Sequence, residues 1–286
     1  MSELASESLA QRLREAPAER QRGRVIRGPL DEGRLRARLA AGEPTVGTFV
    51  GAASPIIAEV CAAAGFDWLL LDLEHGAGGE EQIRTVVPVA AAYGVPTVVR
   101  VESGERIRIG RVLDNGAAGV MLPRLDSAEE VRAAIRHLHY PGGAANGDRG
   151  VATYNRACRF GLDPGALDRA NDQVLGVVQI ESARAVAEAE EIASIDGVDV
   201  LFVGPRDLTH DLGVPGRVTA PEYLDAIEQV RLAAHKHGKA CGLLVGDGDA
   251  ARAKLAEGWT FVAVGSDTTL LAAAARAQLD RTRSTE

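Results

Sequence analysis

From residue 34 onward, apolar and polar positions alternate in blocks. Eight short apolar runs lie at residues 46–50, 68–72, 97–101, 119–122, 174–180, 200–203, 240–245 and 261–264. Between most of them, stretches at 56–64, 80–92, 128–138, 183–195, 221–237 and 249–257 space their apolar residues as one face of a helix does. A continuous apolar run of strand length fits a strand covered on both faces, which is the situation in a parallel sheet with helices outside. Several of the amphipathic stretches stop at a glycine (Gly65, Gly94, Gly238, Gly258), the residue that most easily takes the left-handed backbone of a helix end. Eight such units predict an α/β fold, a (β/α)8 TIM barrel over residues 34–286, in preference to an open doubly wound sheet. No close sequence repeat accompanies this rhythm. A short helix at 35–41 precedes the first strand. Residues 1–33 are charged and rich in arginine and alanine, with Pro17, Gly23, Gly28 and Pro29 as breakers; they read as an N-terminal arm, disordered or laid on a neighbouring subunit. The long irregular stretch at 140–171 follows the fourth unit, where a loop of that length shapes a site.

Composition narrows the field. A net charge of −8 and a pI of about 5.4 argue against nucleic acid as a partner. Cys61, Cys158 and Cys241 are odd in number and far apart, so they read as reduced thiols and not as a disulfide frame or zinc site. No apolar run reaches membrane-spanning length and the N-terminus lacks the apolar centre of a signal peptide, which together predict a cytoplasmic protein. Only three of the 32 basic residues are lysines. Lys236 and Lys239 precede the seventh strand and Lys254 lies in a surface-type helix. None ends a strand, which argues against imine chemistry.

The candidate chemistry gathers where the strands end, the face on which TIM barrels build their sites. The second run, Trp68-Leu69-Leu70-Leu71-Asp72, leaves the core and meets Glu74 and His75. The third ends at Arg100, the fifth in Gln179-Ile180-Glu181, and the sixth runs into Gly204-Pro205-Arg206-Asp207. Period-two alternation puts Gln179 and Glu181 on one side and Ile180 on the other. Glu181 and Asp207, from adjacent strands, form a hard oxygen pair suited to Mg²⁺, Mn²⁺ or a similar divalent ion such as Co²⁺. Arg100 offers a cationic fork for a carboxylate or enolate oxygen. His75 titrates near neutrality, and Asp72, three residues earlier, could fix its tautomer. A cation site, a guanidinium and a histidine fit enolate chemistry beside a carboxylate.

The ordered set Ala64-Gly65-Phe66-Asp67-Trp68 with Glu74-His75, Pro96 to Arg100, Gln179-Ile180-Glu181, Gly204-Pro205 with Asp207-Leu208, and Phe261-Val262-Ala263-Val264-Gly265 with Asp267-Thr268 resembles the HpcH/HpaI aldolase family. These are metal-dependent pyruvate aldolases of the phosphoenolpyruvate/pyruvate superfamily. The likeness covers nearly everything except the arm. It implies a barrel whose last helix is exchanged with a neighbour within a homohexamer. It implies that Glu181 and Asp207 hold the metal, that Arg100 stabilises the pyruvate enolate, that His75 is the base with Asp72 as its partner, and that Gln179, Gly204, Pro205 and Arg206 line the substrate site. The implied reaction is reversible cleavage of a 4-hydroxy-2-oxo acid to pyruvate and an aldehyde through a metal-bound enolate. Citrate-synthase-like condensation of a 2-oxo acid with an acyl-CoA, and oxaloacetate decarboxylation, are the alternatives that share this half of the chemistry. Two departures from the family pattern bear on the electrophile: Arg206 replaces a small residue, and the 151–160 stretch, expected on the aldehyde side, lacks the family's usual residues.

Overall fold

The structure, a computed structural model, describes residues 33–142 and 144–284. The expected arm, apart from Gly33, lies outside the described residues. Eight parallel strands, β1 (Thr45–Val50), β2 (Trp68–Asp72), β3 (Thr97–Arg100), β4 (Gly119–Leu122), β5 (Leu175–Ile180), β6 (Val200–Val203), β7 (Ala240–Val245) and β8 (Phe261–Ser266), close in sequence order, with β8 paired back to β1. Each expected run is one of these strands, and the boundaries agree to within two residues.

Alternation along the strands divides the core in two. Leu69 and Leu71 of β2, Val178 and Ile180 of β5, and Leu201 and Val203 of β6 face outward and pack under the helices. Trp68 and Leu70 of β2, Leu175 and Val177 of β5, and Phe202 of β6 fill the barrel interior. Trp68 stacks on Phe261 with ring centroids 3.9 Å apart, and Phe202 meets Phe261 edge-on at 6.1 Å. Gly47 makes room for this stack, since a Cβ there would fall 2.2 Å from the Trp68 ring. The short helix Arg34–Ala40 closes the bottom of the barrel by inserting Leu35 and Leu39 into the interior cluster. The interior is therefore a packed plug, and its upper surface is the floor of whatever lies at the strand ends.

Two expectations about helices change. The 183–195 stretch is two short helices, Ala183–Ala187 and Ala189–Ala193, that meet at Glu188. Glu188 leaves helical geometry at φ −94°, ψ 6°, and its carboxylate accepts the Ala128 amide at 2.7 Å, so it caps the helix Ala128–Arg136. The 140–171 stretch contains the helix beginning at Ala166 and ending at Gln173, and it does not reach the strand-end face of its own chain. Its Ala157 amide bonds to the Asp114 carbonyl at the far end of the helix Arg106–Asp114, and Arg149 bonds to the Asp114 carboxylate at 2.8 Å. With Leu113, Tyr140, Cys158 and Val174 it lines a cavity of about 90 Å³, next to residues that lead into β4 and β5. That is the opposite end of the barrel from Asp72 and Glu181. The expectation that residues 151–160 approach the aldehyde is thus not met within one chain: the helix Ala128–Arg136 carries the backbone down the barrel before this stretch begins. Among the described residues, no helix is long and apolar enough to cross a membrane.

Candidate active site

Asp72 ends β2 and Arg100 ends β3, and the sheet register sets them side by side. Both point inward, one layer above the aromatic plug. Arg100 Nε and Nη2 donate to the two Asp72 oxygens at 2.9 and 2.7 Å. This is the bidentate fork that guanidinium and carboxylate share, and it is buried. Phe49 supports the pair, its ring centroid 5.3 Å from the Arg100 guanidinium carbon. Burial pushes the Asp72 carboxyl up, but Arg100 and the backbone amides of His75 and Glu74 outweigh it and hold the group below its ordinary value. Those amides bond to Asp72 Oδ1 at 3.3 and 3.1 Å, so Asp72 also folds the turn that leaves β2. Arg100 keeps Nη1 for the site: it lies 3.2 Å from Glu74 Oε2 and 3.5 Å from Gln179 Oε1.

Facing this pair are the ends of β5 and β6. Gln179 and Glu181 are both buried, while Ile180 between them joins the outer core. Glu181 Oε1 accepts the Arg124 amide at 2.8 Å. Burial raises the Glu181 carboxyl to about 7, against the Arg124 amide and Arg100, with the Asp207 and Glu74 charges adding to the rise. Gly204 follows β6, and here the absence of a side chain matters. A Cβ would fall 2.7 Å from Gln179 Nε2 and 2.8 Å from Glu181 Oε2. Asp207 sits in the first turn of the helix Pro205–Asp211 with its side chain 43% exposed, and Arg124 Nη1 approaches its Oδ1 to 3.5 Å.

The profile of the HpcH/HpaI aldolase/citrate lyase family matches residues 45–274, from the first barrel strand into the last helix. The chain belongs to the HpcH/HpaI aldolase/citrate lyase family. A 4-hydroxy-2-oxo-heptane-1,7-dioate aldolase of Escherichia coli is 40% identical over 247 residues, 86% of this chain and 93% of the relative. A hydroxypyruvate/pyruvate aldolase of Deinococcus radiodurans is 42% identical over 239 residues, 83% of this chain and 85% of the relative. Among solved structures, an HpcH/HpaI aldolase/citrate lyase family protein from Burkholderia cenocepacia J2315 superposes with a TM-score of 0.84 at 37% identity, covering 88% of this chain and all of the other.

The HpcH/HpaI strand-end residues form one cluster in this chain, with one change in who pairs with whom. Asp72 does not reach the His75 imidazole: both its oxygens are taken by Arg100, and its link to His75 runs through the backbone amide. The His75 side chain is 68% exposed, with Nε2 3.8 Å from Glu74 Oε2. Glu74 therefore lies between Arg100 and His75. Burial raises its carboxyl, against Arg100 and His75, and the Asp72 and Asp207 charges add to the rise. Arg206 is exposed, and its Nη1 lies over Gly216, where a Cβ would be 3.7 Å away. Pro205 opens the helix that carries Asp207.

Sequence reasoning missed Arg124 and underused Asp267. Arg124 touches both Glu181 and Asp207, yet follows Pro123 in a turn that no local pattern marks as functional. Asp267 is buried and accepts the Gly51 and Ala52 amides at 2.9 and 3.1 Å, tying the loop after β1 to the end of β8.

The donor set suits a divalent cation. Asp72, Glu74, Glu181 and Asp207 set four carboxylates against the guanidinium groups of Arg100 and Arg124, which leaves two negative charges without a counterpart. The elevated Glu181 pKa comes first from burial, and the neighbouring Asp207 and Glu74 charges add to it. Among the described residues no group of three or more His, Cys, Asp and Glu converges as a metal centre. Glu181 and Asp207 are the residues that could hold such an ion, with other positions open to water and substrate.

Proposed function

We propose that this chain is a divalent-metal-dependent pyruvate aldolase, a carbon–carbon lyase that cleaves a 4-hydroxy-2-oxo acid to pyruvate and an aldehyde. The observation that carries the reading is the convergence of Arg100, Gln179, Glu181 and Gly204 on one floor, with Asp207 and His75 at its rim. The 40% identity to the Escherichia coli aldolase, whose named substrate is a 4-hydroxy-2-oxo acid, supports the substrate class.

Glu181 and Asp207 would hold the ion, which when bound supplies Lewis-acid polarisation of the 2-oxo group. Gly204, with no side chain, lets Gln179 and Glu181 pack directly against the backbone that follows β6, which fixes both groups on the floor of the site. Arg100 is held rigidly by Asp72, and its Nη1 edge, which also lies beside Glu74 and Gln179, faces the developing enolate charge with little reorganisation, which is what makes such stabilisation effective. His75, exposed at the rim beside Glu74, accepts the proton of the C4 hydroxyl. The C3–C4 bonding pair then passes into the enolate, C4 becomes the aldehyde carbon, and protonation at C3 gives pyruvate. Glu74 keeps the imidazolium close to a negative charge during this transfer.

A homohexamer with exchanged C-terminal helices fits the surface. The helix Asp267–Arg283 buries only Asp267, and Leu271 is 64% exposed, as are Ile56 at 71% and Val60 at 63% on the helix Pro55–Ala63.

The test is exchange of pyruvate methyl protons with deuterated water, followed by NMR with Mg²⁺, Mn²⁺ or Co²⁺. Exchange is expected with metal and is expected to stop on chelation. A protein that exchanges no protons in either condition refutes the enolate reading.

A further inference from the structure

Arg124 is placed unlike any other basic residue of the site. It ends the β4 turn at φ 51°, a left-handed conformation that costs a residue with a side chain about 1 kcal/mol or more. That backbone aims its amide at Glu181 Oε1. Glycine would give the same amide with less strain, so the turn does not require an arginine. The side chain is therefore the feature to explain. It is 69% exposed, stands over the mouth of the barrel, and holds Asp207 by a single contact of 3.5 Å. Exposed pairs of this kind are weak. Arg100, by contrast, is buried and committed to Asp72 by two short bonds. The floor of the site thus has a fixed cation, and its rim has a lightly held one whose partner, Asp207, is also a proposed metal ligand. Once a divalent ion takes up the charge of Asp207, the attraction that seats Arg124 there is cancelled, and its donors face the solvent side, where the electrophile enters.

We propose that Arg124 is a specificity-determining residue of the electrophile side, which recognises an aldehyde carrying its own carboxylate. The proposal rests on the aldolase reading above and adds to it the chemistry of the second substrate. A guanidinium and a carboxylate make a charge-assisted contact that a neutral aldehyde cannot, and one such contact is worth about tenfold in selectivity or more.

The test compares glyoxylate with acetaldehyde, a two-carbon pair with and without a carboxylate, in condensation with pyruvate by the metal-loaded enzyme. In Arg124→Met the ratio of kcat/KM for glyoxylate to that for acetaldehyde is expected to fall tenfold or more, mainly through the KM of glyoxylate. Arg124→Lys is expected to restore part of the ratio. Arg124→Gly, which relaxes the turn, serves if the methionine variant folds poorly. A second readout is independent of turnover: calorimetric Mn²⁺ titration of metal-stripped protein, in which Arg124→Met is expected to bind two- to five-fold more tightly because a competitor for Asp207 is gone. An unchanged substrate ratio overturns the proposal, and unchanged or weaker Mn²⁺ binding overturns the exchange at Asp207 on which it depends. Wild-type protein that neither exchanges pyruvate methyl protons nor condenses either aldehyde defeats the aldolase reading and the proposal with it, whereas turnover of both aldehydes without a shift in ratio, or proton exchange with no condensation of glyoxylate, defeats the proposal alone.

Discussion

Replacing Asp72 with asparagine isolates the charge that holds Arg100. Asparagine keeps a carbonyl oxygen for the Glu74 and His75 amides, so the turn after β2 retains its bonds. What is lost is the negative charge facing a guanidinium whose side chain is only 9% exposed. Breaking a buried ion pair from one side costs roughly 3–5 kcal/mol. Glu74 at 3.2 Å remains as a second counter-charge and one hydrogen bond to asparagine can persist, so a loss of about 2–4 kcal/mol is expected. For a domain of this size that lowers the melting temperature by roughly 5–12 °C. Chemical denaturation of Asp72→Asn, Arg100→Met and the double variant measures the coupling. The double variant is expected to be well above the sum of the two single losses in stability, because it removes both buried charges together. Pyruvate proton exchange in Asp72→Asn is expected to fall at least tenfold as Arg100 loses its fixed orientation. Strict additivity, or a loss within about 0.5 kcal/mol of zero, would show that the pair does not organise this face. The pH dependence has a definite sign. The folded-state pKa of Asp72 is depressed, so its contribution is present above the ordinary carboxylate value of 3.8 and is lost as pH falls below it.

Three further predictions follow from the same geometry. Glu181 runs the other way: its pKa is about 7 in the fold against 4.5, so in chelator-treated protein the stability it confers is complete below pH 4.5 and is lost as pH rises through 7, about 3 kcal/mol in all. Denaturation between pH 4.5 and 8 is expected to show this slope in the wild type and not in Glu181→Gln; equal slopes would assign it elsewhere. Gly204→Ala places a methyl 2.7 Å from Gln179 Nε2 and 2.8 Å from Glu181 Oε2, and should cut pyruvate proton exchange at least tenfold with about 1–3 kcal/mol of destabilisation; exchange at the wild-type rate would mean that the placement of Gln179 and Glu181 does not govern the enolate step. Gly47→Ala drives a methyl into the Trp68 ring at 2.2 Å and should destabilise by about 1–3 kcal/mol with an altered near-ultraviolet tryptophan signal, while an unchanged spectrum and stability would contradict the packing of the plug.

The eight strands were legible because burial on both faces leaves a signature that needs no tertiary information: a short run of bulky apolar residues between helical periods. The strand-end residues were legible for the same reason, since a polar residue at the end of such a run has one destination in a barrel. Residues that act through the turn they sit in were not legible. Arg124 becomes significant only when its left-handed backbone brings its amide to Glu181, 57 residues away, and its guanidinium to Asp207. Sequence proximity favours His75 as the partner of Asp72, whereas in the structure the β2–β3 register puts Arg100, 28 residues away, directly alongside.

By itself, then, the sequence determined the order of elements, the closed parallel barrel and the identity of the groups at its mouth, because periodicity and strand ends are local properties of the chain. The tertiary structure decided the pairing among those groups. Hydrogen bonds and ion pairs are settled over a few ångströms by strand register, by backbone conformation such as that at Arg124, and by the close approach that Gly204 permits to Gln179 and Glu181, none of which is encoded in the spacing of residues along the chain. It also decided that the 151–160 stretch lies at the other end of its own barrel, since that depends on where the helix Ala128–Arg136 delivers the chain.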